Sequence, residues 1–195
     1  MSLSFFNKLV VSLSLFACSA LCAAPLTVSV AGVNSVGNIG DPGNTVLTFS
    51  VGANATITSI DFSINLTAIS PSYLSEIGLQ FTDSTQTDGV VFNPGSGDDF
   101  AGTDNYMGSA DLLALGLAFN VGSDGILRLE FYEDFDDFPG IDGTWNAGTI
   151  TFGIEPAVVP VPEPSTALLL GAGLMAIGYG RRRSAALKKG TASVH

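Results

Sequence analysis

The stretch LGLAFNVGSDGILRLEFY, residues 115–132, predicts two β-strands joined by a tight turn. Apolar residues alternate with small or polar ones on both sides of that turn, at Leu115, Leu117, Phe119 and Val121 and again at Leu127, Leu129 and Phe131. A period of two places the apolar side chains on one face of each strand. Gly122-Ser123-Asp124-Gly125 has the composition of a four-residue hairpin loop. We therefore predict an antiparallel hairpin.

The same alternation recurs at residues 47–51, 60–66, 77–81 and 150–154. Eighteen of the 23 glycines lie in residues 24–159, between these short apolar runs, which is typical of a protein with many turns. Strands with one apolar and one polar face predict an all-β domain, an antiparallel β-sandwich over residues 24–156. In its hairpin Leu129 and Phe131 should be buried. Glu130 and Tyr132, on the opposite face, should meet solvent.

The charge of this central region is strongly negative. Residues 24–162 contain seventeen carboxylates and one base, Arg128, a formal charge of −16. Such a surface repels phosphate, so we expect no nucleic-acid partner. The region also contains no His, Cys or Lys. That excludes Ser-His-Asp and Cys-His catalysis, Schiff-base lysines and thiolate or imidazole metal sites, and leaves paired carboxylates as the remaining catalytic chemistry.

The N-terminus, residues 1–23, predicts a secretory signal peptide. Lys8 precedes the apolar run LVVSLSLFA of residues 9–17, and small residues lead to a cleavage site after Ala23. An N-terminal core helix and a lipoprotein signal ending at Cys18 are the alternatives. Removal of the peptide would leave a mature protein without cysteine.

The C-terminus predicts an export address. A Pro-rich linker of residues 157–165 is followed by the uncharged run of residues 166–180 and by a basic tail, residues 181–195. Fifteen helical residues span about 22 Å, short of a hydrocarbon core of about 30 Å, but snorkelling arginines and a thinned bilayer can accommodate a short transmembrane helix. The basic cluster, Arg181, Arg182 and Arg183, should stay cytoplasmic and the acidic domain outside. A buried core helix is the alternative.

Pro162-Glu163-Pro164, the short apolar helix and the arginine cluster together resemble the PEP-CTERM sorting signal of Gram-negative bacteria. The resemblance covers residues 160–184. It implies an exosortase as processing partner, signal peptidase at the other end, a transient inner-membrane intermediate, and release to the cell surface or the extracellular space. It also implies a bacterium that makes exopolysaccharide or biofilm. The twelve-residue extension 184–195 is longer than is usual after such a cluster.

Residues 127–154 resemble the last hairpin of jelly-roll domains of the proprotein-convertase P-domain or carbohydrate-binding type. In those domains a Gly-Thr-Trp sequence opens the final strand, as Gly143-Thr144-Trp145 would here. The resemblance implies that the predicted sandwich is jelly-roll-like.

An acidic run lies between the hairpin and the closing strand, with carboxylates at Glu133, Asp134, Asp136, Asp137 and Asp142. Calcium takes six to eight oxygen ligands from flexible loops, so this run is a candidate calcium site, although its spacing is not that of an EF-hand. A solvated acidic loop is the alternative. We expect no other cofactor.

Aromatic side chains are candidates for stacking on a sugar ring, and Trp145 is the foremost of them, with Tyr73, Tyr106 and Tyr132. The alternative is that Trp145 packs in the core. Glu130 and Glu133 could in principle form a glycosidase pair.

These observations together predict a non-enzymatic exported protein of the cell surface or of an extracellular polysaccharide matrix. A carbohydrate-binding module that attaches cells to a glycan is the second interpretation. An enzyme acting on matrix polymer is the third.

Overall fold

The computed structural model describes residues 24–137, 139–158, 171 and 173–175. The chain divides into two units, Met1–Ala157 and Val158–His195. The described part of the first unit is built from ten strands and one short helix: β1 (Leu26–Ser29), β2 (Val33–Ser35), β3 (Thr45–Ser50), β4 (Thr56–Ala68), β5 (Ile77–Asp83), β6 (Gly89–Phe92), β7 (Gly102–Asp111), α1 (Leu112–Leu115), β8 (Phe119–Asn120), β9 (Ile126–Glu133) and β10 (Gly143–Glu155).

The strands form two antiparallel sheets. The six-stranded sheet has the order β1-β10-β4-β7, with β2 added beside β10 and β8 beside β4, and the four-stranded sheet has the order β3-β9-β5-β6. Without the marginal β2 and β8, eight strands remain. In chain order the first, eighth, third and sixth form one sheet, and the second, seventh, fourth and fifth form the other. This is the strand order of a jelly roll, so the predicted all-β, jelly-roll-like sandwich is confirmed.

The core lies between the two sheets. Phe81 of β5 and Phe152 of β10 come from different sheets, and their ring centroids are 5.2 Å apart. Phe131 of β9 meets Trp145 of β10 edge to face at 5.1 Å. Leu129 and Phe131 are fully buried, as their alternation predicts. Such tilted contacts between aromatic rings contribute beyond the area that they bury.

The predicted hairpin of residues 115–132 is wrong, because its two arms lie in different sheets. Leu112–Leu115 is helical, capped by the Asp111 side chain at its start and by Gly116 in the left-handed region at its end. Of the predicted first strand, residues 115–121, two residues form a strand, β8, and it pairs with β4. In contrast, β9 pairs with β3 and β5. The turn itself is present: Gly125 N–H donates to the Gly122 carbonyl at 3.2 Å. It carries the chain across the core and does not reverse it within one sheet.

The expectation that Glu130 and Tyr132 meet solvent is also wrong. Both side chains are buried. The segment 36–44 lies over Glu130, with the Gly40 N–H and the Asn44 side chain donating to its carboxylate. Tyr132 lies against Gly78, where even a Cβ atom would collide with the phenol ring. We call this outer surface of the four-stranded sheet, formed by Gly78, Arg128, Glu130 and Tyr132, the covered face.

In the second unit, Gly171 and Gly173–Met175 are helical. No helix within the described residues has the length and apolar character needed to cross a membrane. The predicted signal peptide, residues 1–23, lies outside the described residues, as does most of the predicted sorting helix of residues 166–180.

Candidate functional site: the open face and the acidic loop

The outer side of the six-stranded sheet carries hydroxyl and amide side chains in rows across the strands. Paired residues in a sheet share a face, so the register defines these rows. We call this surface the open face. Its members are Asn34, Thr144, Thr67 and Thr103; Asn146, Asn65 and Asn105; Ser29, Thr149, Ser63 and Met107; and Thr27, Thr151, Asp61 and Ser109.

Hydrogen bonds between neighbouring strands hold the polar side chains of the open face in place. The Asn65 amide donates to Asn105 Oδ1 at 2.9 Å, and the Asn146 amide donates to Asn65 Oδ1 at 2.8 Å. The same Asn146 amide donates to Thr67 Oγ1 at 2.7 Å, and Thr67 lies 2.6 Å from the Thr103 hydroxyl. One connected network therefore spans β10, β4 and β7. Its bonds hold these amide and hydroxyl side chains in defined positions on the face.

Two shallow grooves run over this face and share Ser63. The larger, about 440 Å³, lies between Met107 on β7 and Ala147 on β10, with Asn65 and Asn105 beside it. The smaller, about 230 Å³, continues past Ser63 toward Asp61 and Thr151. Met107 is 78% exposed and provides an apolar wall. Within the four rows Asp61 is the one ionisable side chain, in a domain that is otherwise strongly acidic.

Trp145, a candidate for sugar stacking, cannot take that role in this fold because its side chain is fully buried. Its indole N–H donates to Ser35 Oγ at 3.2 Å, and its ring packs on Phe131. The alternative, a core tryptophan, is the correct one. Tyr132 is buried too, and Tyr106 donates its hydroxyl to Asp98 at 2.7 Å. Tyr73 is exposed.

The five carboxylates of the acidic loop do not share one environment. Asp134, Asp136 and Asp137 are exposed, whereas Glu133 and Asp142 are fully buried. Asp142 accepts the Asp137 backbone N–H at 3.3 Å, and Glu133 accepts the Ser72 hydroxyl at 3.3 Å. In the described part of the chain, no three acidic, His or Cys side chains come together as a metal site. The three exposed carboxylates are thus in a different environment from the two buried ones.

Burial dominates the electrostatics of this pair. Desolvation, with the neighbouring Asp142 charge, raises the pKa of Glu133 to about 9. Desolvation and the nearby Asp136 and Asp137 raise the pKa of Asp142 as well. Since one Glu133 oxygen and one Asp142 oxygen have no hydrogen-bond partner among the described residues, a protonated Glu133 is the form that this site stabilises at neutral pH.

Glu130 and Glu133, the candidate glycosidase pair, do not face a common substrate. They are three residues apart on β9, so they point to opposite sides of the sheet. Glu130 forms an ion pair with Arg128 at 2.7 Å on the covered face. Glu133 lies at the end of the core, where its Oε1 approaches Gly143.

The open face was missed at the level of sequence, although its signal is present there. The residues that alternate with the buried apolar ones in β4 are Ser59, Asp61, Ser63, Asn65 and Thr67. Read alone, they mark only the solvent side of a strand. Their significance depends on β7 and β10 bringing matching side chains into register, which the alternation in one strand does not specify.

Residues 160–184 match the family described as the PEP-CTERM protein-sorting motif. The fold and this match together define a jelly-roll domain followed by a sorting signal. The predicted sorting signal is thereby confirmed at the positions where it was expected. Its Pro162, Glu163 and Pro164, and the cluster Arg181, Arg182 and Arg183, lie outside the described residues. No curated protein is significantly similar in sequence to this chain.

Several solved viral proteins align with the chain. The P-domain of Penaeus vannamei nodavirus covers 70% of this chain and 98% of its own, at 11% identity and a TM-score of 0.29. VP2 of infectious bursal disease virus, in a subviral particle, covers 66% of this chain and 32% of its own, at 11% identity and a TM-score of 0.31. The Tobacco streak virus coat protein covers 72% and 92%, at 13% identity and a TM-score of 0.26.

Proposed function

We propose that this protein is a non-enzymatic β-sandwich that is exported, processed at both ends, and displayed or released at the cell surface or in an extracellular matrix. The observation that carries the proposal is the PEP-CTERM motif at residues 160–184, which implies export and handling by an exosortase. In this proposal signal peptidase removes residues 1–23. The inner membrane holds the intermediate through residues 166–180.

The fold suits removal of both ends. The first strand begins at Leu26 and pairs with β10, and β10 ends at Glu155, so all the strands in the described residues lie between the two proposed cleavage regions. The described domain, residues 24–157, contains no cysteine, and it therefore needs no disulfide in an oxidising compartment. Cleavage near Pro162 would leave the hydrogen bonds of both sheets intact.

The non-enzymatic role is supported by the separation of Glu130 from Glu133. An exopolysaccharide or another matrix component is the proposed partner outside the cell.

Calcium has no part in the proposal. The absence of a calcium role is tested by thermal unfolding in calcium chloride and in sodium chloride of matched ionic strength. A rise in Tm that is specific to calcium would contradict it.

The sorting proposal is tested by the intact mass of the protein from its native host. We expect a chain that begins near Ala24 and ends near Pro162–Ser165, without residues 181–195. Glu163→Gln, or deletion of residues 181–183, should leave precursor in the inner membrane. Glu155→Gln, an exposed carboxylate eight residues earlier at the end of β10, is the matched control and should be processed normally. A wild-type mass that retains the arginine cluster would refute the proposal.

A further inference from the structure

We propose that the open face is a binding site for a neutral polysaccharide, whose chain lies along the grooves over β10, β4 and β7. The first support is pre-organisation. Asn146, Asn65 and Asn105 form a connected amide relay across the three strands, with bonds of 2.8 and 2.9 Å. Exposed side chains that are already oriented lose less conformational entropy when they bind a ligand.

The second support is the match between the groups on this face and a sugar. Hydroxyls and amides can each donate and accept hydrogen bonds, as can the hydroxyls of a polysaccharide. The two grooves, of about 440 and about 230 Å³, both have Ser63 in their lining, so they are neighbours on the same face of the sheet. Met107 gives the larger groove an apolar wall against which the C–H face of a sugar ring can pack.

The third support is charge, which selects the class of polymer. Residues 24–162 carry a formal charge of −16, and a uronic-acid or sulfated chain would be repelled by it. A cationic polymer would instead be drawn to the exposed carboxylates of the acidic loop, Asp134, Asp136 and Asp137. The four rows of the open face contain one ionisable group, Asp61, and Asp111 lies one row further along the register; the other side chains are uncharged, so the face is suited to an uncharged chain.

The proposal rests on the proposed function only for where the protein would meet such a polymer, so binding is measured independently of sorting. The full chain is kept in a zwitterionic detergent without a sugar headgroup. Its binding to immobilised neutral glucan, mannan, galactan and xylan is measured by biolayer interferometry, with polygalacturonate as the acidic comparison. We expect binding to at least one neutral polymer and none to polygalacturonate.

Ser63→Arg places a bulky side chain in the lining that the two grooves share and should weaken that binding at least tenfold. Ser50→Arg is the matched control, because it makes the same change at an exposed strand position on the outer side of the other sheet, and it should bind as the wild type does. Asn105→Ala removes the outer end of the amide relay and should weaken binding several-fold. Circular dichroism and the Tm of each variant report whether it folds.

Three results would overturn the proposal. They are no binding to any of the four neutral polymers, binding to polygalacturonate alone, and equal loss of binding in Ser63→Arg and Ser50→Arg. A protein that binds through the open face but is not processed in its host would contradict the sorting proposal alone. A processed protein that binds none of the polymers would contradict this proposal alone.

Discussion

The outer surfaces of the two sheets arise from the same alternating pattern but differ in what lies over them. The open face presents hydroxyl and amide side chains and one carboxylate, Asp61, to solvent, with hydrogen bonds running between strands. The covered face holds an ion pair between Arg128 and Glu130, and the segment 36–44 lies on it. Period-two alternation therefore identifies which residues share a face of a sheet. It does not identify which faces the loops will cover.

The two faces should differ most in the stability that is lost when a carboxylate is removed. Glu130→Ala leaves Arg128 without its ion-pair partner and leaves the Gly40 N–H and the Asn44 amide without an acceptor. Breaking a buried, hydrogen-bonded ion pair costs about 3–5 kcal/mol, so we expect the free energy of unfolding in urea to fall by about that amount.

Asp61→Ala is the matched control, since it removes an exposed carboxylate from a central strand of the open face. Exposed substitutions of this kind change stability by less than about 0.5 kcal/mol. Equal losses in the two variants would mean that segment 36–44 does not cover Glu130 in solution.

A smaller change in the free energy of unfolding is expected at Glu133, a buried carboxyl without a counter-charge. The pKa of Glu133 rises from 4.5 in its ordinary state to about 9 in the fold, so the folded state binds this proton more tightly than the unfolded state does. The stabilisation by that proton is complete below about pH 4.5 and is lost as the pH rises toward 9. The raised pKa of Asp142 acts in the same direction.

Glu133→Gln replaces the protonated side chain with a neutral one of the same shape. We expect the variant to match the wild type at pH 4 and to be more stable than the wild type at pH 8, where folding of the wild type requires uptake of a proton by Glu133. Urea unfolding at both pH values measures this, with Asp61→Asn on the open face as the control that keeps the wild-type dependence. If Glu133→Gln were less stable than the wild type at pH 8, the buried carboxyl would have a partner that it loses in the variant.

Two other carboxyls, those of Asp83 and Glu130, have the opposite effect on stability at acid pH, because the fold lowers their pKa values. Burial raises the pKa of Asp83, but hydrogen bonds from Thr85, Thr87 and Asp88 outweigh it and lower the value to about 2. The Gly40 N–H, Asn44 and Arg128 likewise outweigh the burial of Glu130 and lower its pKa. Stability that depends on these two charges is present above about pH 4.5 and falls as the pH drops below it. The pH of maximum stability should therefore lie between the acid range, in which Asp83 and Glu130 become protonated, and the alkaline range, in which Glu133 loses its proton.

The sequence predicted much of this fold because local alternation determines the strands. The runs at residues 60–66, 77–81 and 150–154 are strands, and the apolar residues Leu129 and Phe131 are buried as expected. What local alternation could not supply is pairing between distant segments. Residues 119–120 and 126–131 are close in sequence, yet they belong to different sheets: β8 pairs with β4 in one sheet, and β9 pairs with β3 and β5 in the other.

The same limit explains the outcome for the candidate site. A tryptophan beside a closing strand has the same local pattern whether it points outward or inward. The bulge after Trp145 and the partner Ser35, which is 110 residues away, determine that it is buried. The polar open face needed three distant strands in register before it could be recognised. The sorting motif at residues 160–184 was predictable because its signal is a linear stretch of sequence.

The smallest expected effect compares two hydrogen-bonded side chains, one on each face. Thr67 on the open face is bonded to Thr103 and Asn146, and Asn44 beside the covered face accepts the Val36 and Gly37 N–H groups and donates to Glu130. Thr67→Val keeps the shape and β-branching, and water replaces both lost bonds, so stability should change by less than about 0.5 kcal/mol. Asn44→Leu leaves buried donors and an acceptor unmatched and should cost about 2 kcal/mol or more. Urea unfolding of the pair measures the difference, and a Thr67→Val loss as large as that of Asn44→Leu would show that solvent does not reach the open face.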